Sequence, residues 1–366
     1  MKIAYIVEPR RVIGGGVRAA INLAKSMRTY YREDAVVFGT FAGTVSAPDC
    51  TFHEVNTLRP FSWGYWKAFH KFAKSYRPDV VHCLGLFTAL FCLIYRRLTH
   101  GQFKVVCTVH RVTMNMRHRR MIGFVIHHIA RHLDYTTFLT NYQQRHYADN
   151  VGFKPNKYVV VPNVIYVQDV QKQEIEALRD QLRRELHADF LTSYVGRIIP
   201  SKNLEDFIRI IAIANRNGLN IGGILVGGFE DGYHQKLCEV IEEEDIAGKI
   251  KFIGFVNTPT LYTGTSDFTT TTTHGEALPN LLIESFALGK ITFSSNIPQM
   301  VDLISSGKNG FTLPLKDLSL FVAEMKKICA DSEKRRTMEQ AARLTYLNIY
   351  EPHKVAEVYH QTYCAL

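Results

Sequence analysis

Short apolar runs alternate with amphipathic stretches along the whole chain, and this alternation limits the fold more than any other feature. Runs at 2–7, 35–39, 51–55, 79–84, 104–110, 135–140 and 158–162 read as strands, and helical patterns such as 17–30 and 62–76 separate most of them. The arrangement starts again at 192–196, 221–227, 251–256, 267–273 and 291–295. Strands apolar along their whole length suit a parallel sheet covered on both faces, because a half-exposed strand would alternate with polar residues. The chain has 366 residues, too many for one ordinary core and a fit for two. The expectation is therefore α/β, with two doubly wound domains at 1–165 and 166–366 and a polar hinge near 165–172. A charged helix is expected at 174–187, and the last helix is a candidate to pack back on the first domain. Ligands of such domains bind beyond the carboxyl ends of the strands.

Charge divides unevenly between the two halves. Residues 1–165 carry 23 lysines and arginines against 8 acidic residues, a net of +15, while the remainder is net −5. A half that basic should meet something anionic, such as nucleic acid, a phosphorylated ligand or an acidic membrane surface. The seven cysteines are scattered and contain no Cys-x-x-Cys pair, which argues against a disulfide framework or zinc site and for a reducing cytoplasm. The longest apolar stretch, 80–95, is interrupted by His82 and Gly85 and is too short to span a bilayer. The apolar start of the chain ends at Glu8-Pro9-Arg10-Arg11, too early for a signal peptide.

Three loops at strand ends hold the chemistry. Gly14-Gly15-Gly16 precedes a helix that also carries Arg18; glycines there let backbone N–H groups approach an anion, or serve only a turn. No acidic residue ends the second strand to take a ribose hydroxyl, so a nicotinamide site is disfavoured. In the second loop, Gly196 to Asn203, Arg197 and Lys202 flank a turn with Ser201 as a candidate N-cap; they suit a diphosphate clamp or a solvated surface. The third loop, His274-Gly275-Glu276-Ala277-Leu278-Pro279-Asn280-Leu281, opens a helix apolar nearly all round, with Pro279 expected in its first turn. Backbone N–H groups of Ala277, Leu278 and Asn280 are placed to receive phosphate. Glu284 lies within that apolar helix, so its carboxylate needs partners, either ligand hydroxyls or an internal Arg or Lys.

The glycine loop, Gly196-Arg197 with Lys202, and Glu276-x7-Glu284, in this order, resemble the retaining GT-B glycosyltransferases of family 4, in particular those of bacterial surface-polysaccharide synthesis. The resemblance implies two Rossmann-like domains facing a central cleft. The first, 1–165, would bind the acceptor, and the second, 166–366, the nucleotide sugar. It places Glu284 on the ribose, Glu276 on the donor sugar, Arg197 and Lys202 on the diphosphate, and His110 beside the sugar. Gly15, Gly16, Phe255, Ala277, Leu278, Asn280 and Leu281 complete the donor set, and the base lies against 253–256. Glu276, His110, Arg197 and Lys202 form the catalytic set. His82 matches a further family position with less claim to chemistry. Two departures bear on donor identity: Pro279 removes an N–H donor, and Gln299 stands where the family has a glutamate.

The chain contains no Asp-x-Asp, so neither metal nor cofactor is expected, and the two cations would serve instead. UDP is favoured as the nucleotide by family frequency. The acceptor is expected to be a saccharide or lipid-linked saccharide. Lys67, Lys71 and Lys74 share one helical face among aromatics, and Arg117, Arg119 and Arg120 follow His110; both clusters suit an anionic inner membrane or plain solvent. The protein is thus expected in the cytoplasm, peripheral to the inner membrane. A nucleic-acid binder would explain the charge but not the two glutamates, so nucleic acid is not an expected partner. A nucleotide-sugar-binding protein without turnover uses the same loops and stays open.

Overall fold

A computed structural model describes residues 1–8, 15–39, 50–55, 61–110, 119–276 and 278–366. The chain forms two compact units, Met1–Tyr166 together with Tyr350–Leu366, and Val167–Ile349.

In the first unit seven strands make one parallel sheet. They are β1 (Lys2–Val7), β2 (Asp34–Gly39), β3 (Thr51–Glu54), β4 (Val80–Leu84), β5 (Lys104–Val109), β6 (Tyr135–Phe138) and β7 (Tyr158–Val160), in the order β3-β2-β1-β4-β5-β6-β7. β6 stops two residues short of its expected end because Thr140 turns out of the sheet and caps the next helix, accepting from the Gln143 N–H. Helices α1 (Gly15–Tyr31), α2 (Trp63–Tyr76), α3 (Leu86–Thr99) and α4 (Arg119–His132) flank the sheet. α2, α3 and α4 share one core, and α1 shares another with the C-terminal helix Pro352–Cys364. Along α2, Tyr65, Phe69 and Phe72 fall at i, i+4 and i+7 and are buried. Most aromatics of that segment are thus core, and Lys67, Lys71 and Lys74 form its exposed face.

The C-terminal helix buries Val355, Ala356, Tyr359 and Tyr363. Tyr363 closes a buried polar chain. Its hydroxyl donates to that of Tyr5 (3.3 Å) and lies 2.5 Å from His82 Nδ1, while His82 Nε2 lies 2.6 Å from Thr108 Oγ1. Taking Tyr363 as donor to Tyr5 makes His82 Nδ1 the donor to Tyr363 and Nε2 the acceptor from Thr108. Burial, helped by nearby His110, lowers the His82 pKa to about 3, so the ring is neutral. His82 is therefore a satisfied core histidine.

The second unit holds β8 (Phe190–Val195), β9 (Ile221–Val226), β10 (Ile250–Gly254), β11 (Phe268–Thr271), β12 (Ile291–Ser295) and β13 (Gly310–Leu313), parallel and in the order β10-β9-β8-β11-β12-β13. The expected charged helix runs Lys172–Glu185. The threonine run at β11 is buried, and two of its hydroxyls bond across strands: Thr269 reaches Thr292 (2.9 Å) and Thr270 reaches Thr192 (2.8 Å).

Candidate functional site

The strand order of the second unit reverses between β8 and β11, so the loops following these two strands emerge side by side at the carboxyl edge. Residues remote in sequence meet there. The Thr272 hydroxyl donates to the Asn203 carbonyl (2.6 Å), Asn203 Nδ2 donates to the Thr272 carbonyl (3.3 Å), and the His274 N–H donates to the Ser201 carbonyl (3.4 Å). This zipper brings Lys202 against Glu276, and Lys202 Nζ donates to Glu276 Oε1. Arg197 is exposed at the end of β8, and the Lys202 charge is met by Glu276.

Glycines shape the rest of the edge. A Cβ on Gly227, whose φ is +143°, would sit 1.8 Å from the Gly196 carbonyl oxygen. The two backbones cross so closely that only glycine fits. The Gly196 N–H donates to Val226 O, and the Gly227 N–H to Gly254 O, both at 2.9 Å. These bonds fix the chain that carries Arg197, whose carbonyl accepts from the Tyr194 hydroxyl (3.2 Å). Burial, with Glu276 nearby, pushes the Tyr194 pKa well up, so the hydroxyl stays protonated. Phe255, just beyond β10, leaves 75% of its surface exposed.

Two local expectations change. Ser201 is not an N-cap: Pro200–Lys202 is a 3-10 turn, and the following helix Leu204–Arg216 starts after Asn203, held in the left-handed region at φ 51°. Pro279 is not in the first turn of its helix. It stands one residue ahead in extended conformation, and the helix is Asn280–Ala287. The helix buries Leu281, Leu282, Ile283, Phe286 and Ala287, with Glu284 half-buried among them. Leu278 is buried and Asn280 exposed, and the N–H groups at this helix start face the same edge as Lys202 and Glu276. Ala277 lies outside the described residues.

In the first unit the order reverses between β1 and β4. Gly85 follows β4 with φ +145°, and a Cβ there would lie 2.6 Å from Glu8 Oε1. Glu8 therefore crosses the end of β4 at the switch point, on the same edge as half-buried His110 after β5. Sequence reading missed Glu8, using it only to mark where an apolar run stopped. Its signal was an acidic residue directly after the first strand. Gly15 and Gly16 begin α1, where a Cβ on Gly16 would meet nothing within 4 Å, and Arg18 is exposed beside them. Arg119 and Arg120 begin α4, while Gly14 and Arg117 lie outside the described residues. Among the described residues no cluster of His, Cys, Asp or Glu is arranged to hold a metal ion.

Residues 175–345 match the family described as Glycosyl transferases group 1, and residues 13–169 match Glycosyltransferase Family 4. Two curated relatives come from Staphylococcus aureus. The capsular polysaccharide biosynthesis glycosyltransferase CapM is 24% identical over 166 residues, 44% of this chain and 42% of the relative. CapH, of the same description, is 35% identical over 107 residues, 29% of this chain and 30% of the relative. Both alignments thus span less than half of either protein. Among solved structures, HepE from Anabaena in complex with UDP superposes with a TM-score of 0.86 at 18% identity, covering both chains completely. At that identity the likeness speaks for the fold.

Proposed function

With the chain a member of the family 4 type of GT-B glycosyltransferases, we propose that it moves a hexose from a nucleotide-diphosphate sugar, UDP favoured, to a saccharide or lipid-linked saccharide acceptor of cell-envelope polysaccharide, with retention of configuration. The observation that carries this reading is the meeting of Lys202 and Glu276 beside the start of the Glu284 helix. A cation, a carboxylate and a helix start on one edge offer one partner for each part of a nucleotide sugar.

The donor diphosphate takes Lys202 away from Glu276, and Arg197 and the helix start meet its remaining charge. Glu276 then turns to the sugar hydroxyls, Glu284 to the ribose, and the exposed Phe255 ring to the base. As the bond from the anomeric carbon to the phosphate oxygen breaks, negative charge grows on that oxygen, and the same cations stabilise it most at the transition state. The acceptor hydroxyl attacks from the leaving group's face and passes its proton to the departing diphosphate. No step needs a protein nucleophile. Two cations serve the diphosphate without a metal.

HepE has been solved with UDP and with UDP-glucose, which supports UDP as the first nucleotide to test. CapM and CapH are named for capsule synthesis, which supports a surface-polysaccharide acceptor. The place of action in this reading is the cytoplasmic face of the inner membrane. Arg197→Ala should lower nucleoside-diphosphate release by about 100-fold or more. Near-normal release would sink the assignment. A thermal-shift screen of UDP, GDP and ADP identifies the base, since a ligand bound only to the folded state raises stability. Stabilisation without any donor turnover would favour a binding protein instead.

A further inference from the structure

We infer that the outer surface of α2, α3 and α4 docks on an anionic lipid bilayer; this refines the membrane-proximal acceptor proposed above and rests on it. The three helices form one layer over a shared core. Phe69 of α2 meets the Phe91 ring of α3 edge-on at 5.3 Å, and Arg96 of α3 donates to the carbonyl of His132, which ends α4 (3.0 Å). Each helix enters a strand of one parallel sheet, so all three run the same way, with their starts at the carboxyl edge that carries Glu8 and His110.

The solvent face of this layer is unusual. Phe87, Ile94 and Leu98 recur at spacings of seven and four along α3, which puts them on one line roughly 16 Å long facing outward. Phe87 is 52% and Leu98 66% exposed. Trp63 opens α2 at 79% exposure, and Phe124 in α4 reaches 77%. Single exposed apolar side chains are ordinary, but a line of them in one layer marks a surface that something covers.

Charge selects the occupant. The three helices contain eight lysines and arginines and four histidines, and no aspartate or glutamate. Lys67, Lys71 and Lys74 cover the outer face of α2, and Arg97 and Arg131 flank the apolar line on α3 and α4. A second copy of this chain would set these cations against each other, which is repulsive. A bilayer with anionic headgroups accepts both features at once, taking apolar side chains below the headgroups and lysines at their level. No described helix is long and apolar enough to cross a membrane, so the layer would lie on the surface.

The test is flotation of the full chain with phosphatidylglycerol–phosphatidylcholine vesicles and with phosphatidylcholine alone, beside the variant Phe87→Glu/Leu98→Glu. The wild-type chain should float with the anionic vesicles and lose them as salt rises. The variant should partition about tenfold less or worse, with an unchanged melting curve and unchanged nucleoside-diphosphate release from the donor. Absence of wild-type binding to both vesicles, or full binding by the variant, overturns the inference. So does wild-type self-association without vesicles that the variant abolishes. Donor turnover without flotation sinks the docking face alone, and flotation without turnover on any donor sinks the transferase reading alone.

Discussion

A lysine and a glutamate held against each other beside a helix start cannot act independently. Lys202→Met should leave Glu276 without its cation, and Glu276→Gln should leave Lys202 without its anion. Each change should lower turnover, and the double variant should lose less than the two losses combined, a coupling of about 0.5–3 kcal/mol. Fully additive losses would mean that the pair does not matter to transfer. Thr272→Val tests the zipper that brings the two together. It removes the buried hydroxyl that donates to Asn203 O and should cost about 1–3 kcal/mol in unfolding, with a raised donor KM. An unchanged KM would make Thr272 purely structural. Lys202, Glu276 and Glu284 stand out in the sequence because each sits on a strand–loop–helix pattern. Their pairing was not legible, since 74 residues separate Lys202 from Glu276 and only the strand order makes them neighbours. Ser201 and Pro279 misled for a local reason: each looks like the residue that starts a helix, but tertiary bonds move the start by one to three residues.

Elements were easier to read than their ends, because burial of a parallel strand leaves a long apolar signature while a loop leaves none. What the elements do to one another depends on close approaches that no period reveals. Gly227→Ala would drive a methyl group into the Gly196 carbonyl. The loop carrying Arg197 must then shift, so this variant should melt lower and lose its nucleotide-induced thermal shift; a normal shift would show that the loop tolerates the move. The C-terminal helix makes the same point through polar groups. Tyr363→Phe removes the hydroxyl against His82 Nδ1 and strands a buried donor, for an expected loss of about 1–3 kcal/mol in the first unit. A neutral result would mean that the buried chain is not needed to hold this helix.

The molecule as a whole should respond to pH from both ends, with each unit reporting separately. In the first unit the His82 pKa falls from 6.5 to about 3 on folding, so between those values the unfolded chain binds the extra proton. Stability should therefore fall as pH drops from 6.5 toward 3, by up to about 1.4 kcal/mol per unit, and His82→Gln should flatten the slope. In the second unit burial, then the charge of Arg179, lowers the Lys290 pKa from 10.5 to about 8. There stability should rise as pH rises from 8 toward 10.5, and Lys290→Met should remove the rise. Urea titrations followed across both windows would check this; slopes unaffected by either variant would contradict it. The division into units has a consequence for synthesis. The second unit is one unbroken stretch, Val167–Ile349, whereas the first needs Tyr359 and Tyr363 to finish its core. On the ribosome the later-made half can therefore close first, and the earlier-made sheet must wait, its α1 side uncovered, until the final turns of the chain emerge.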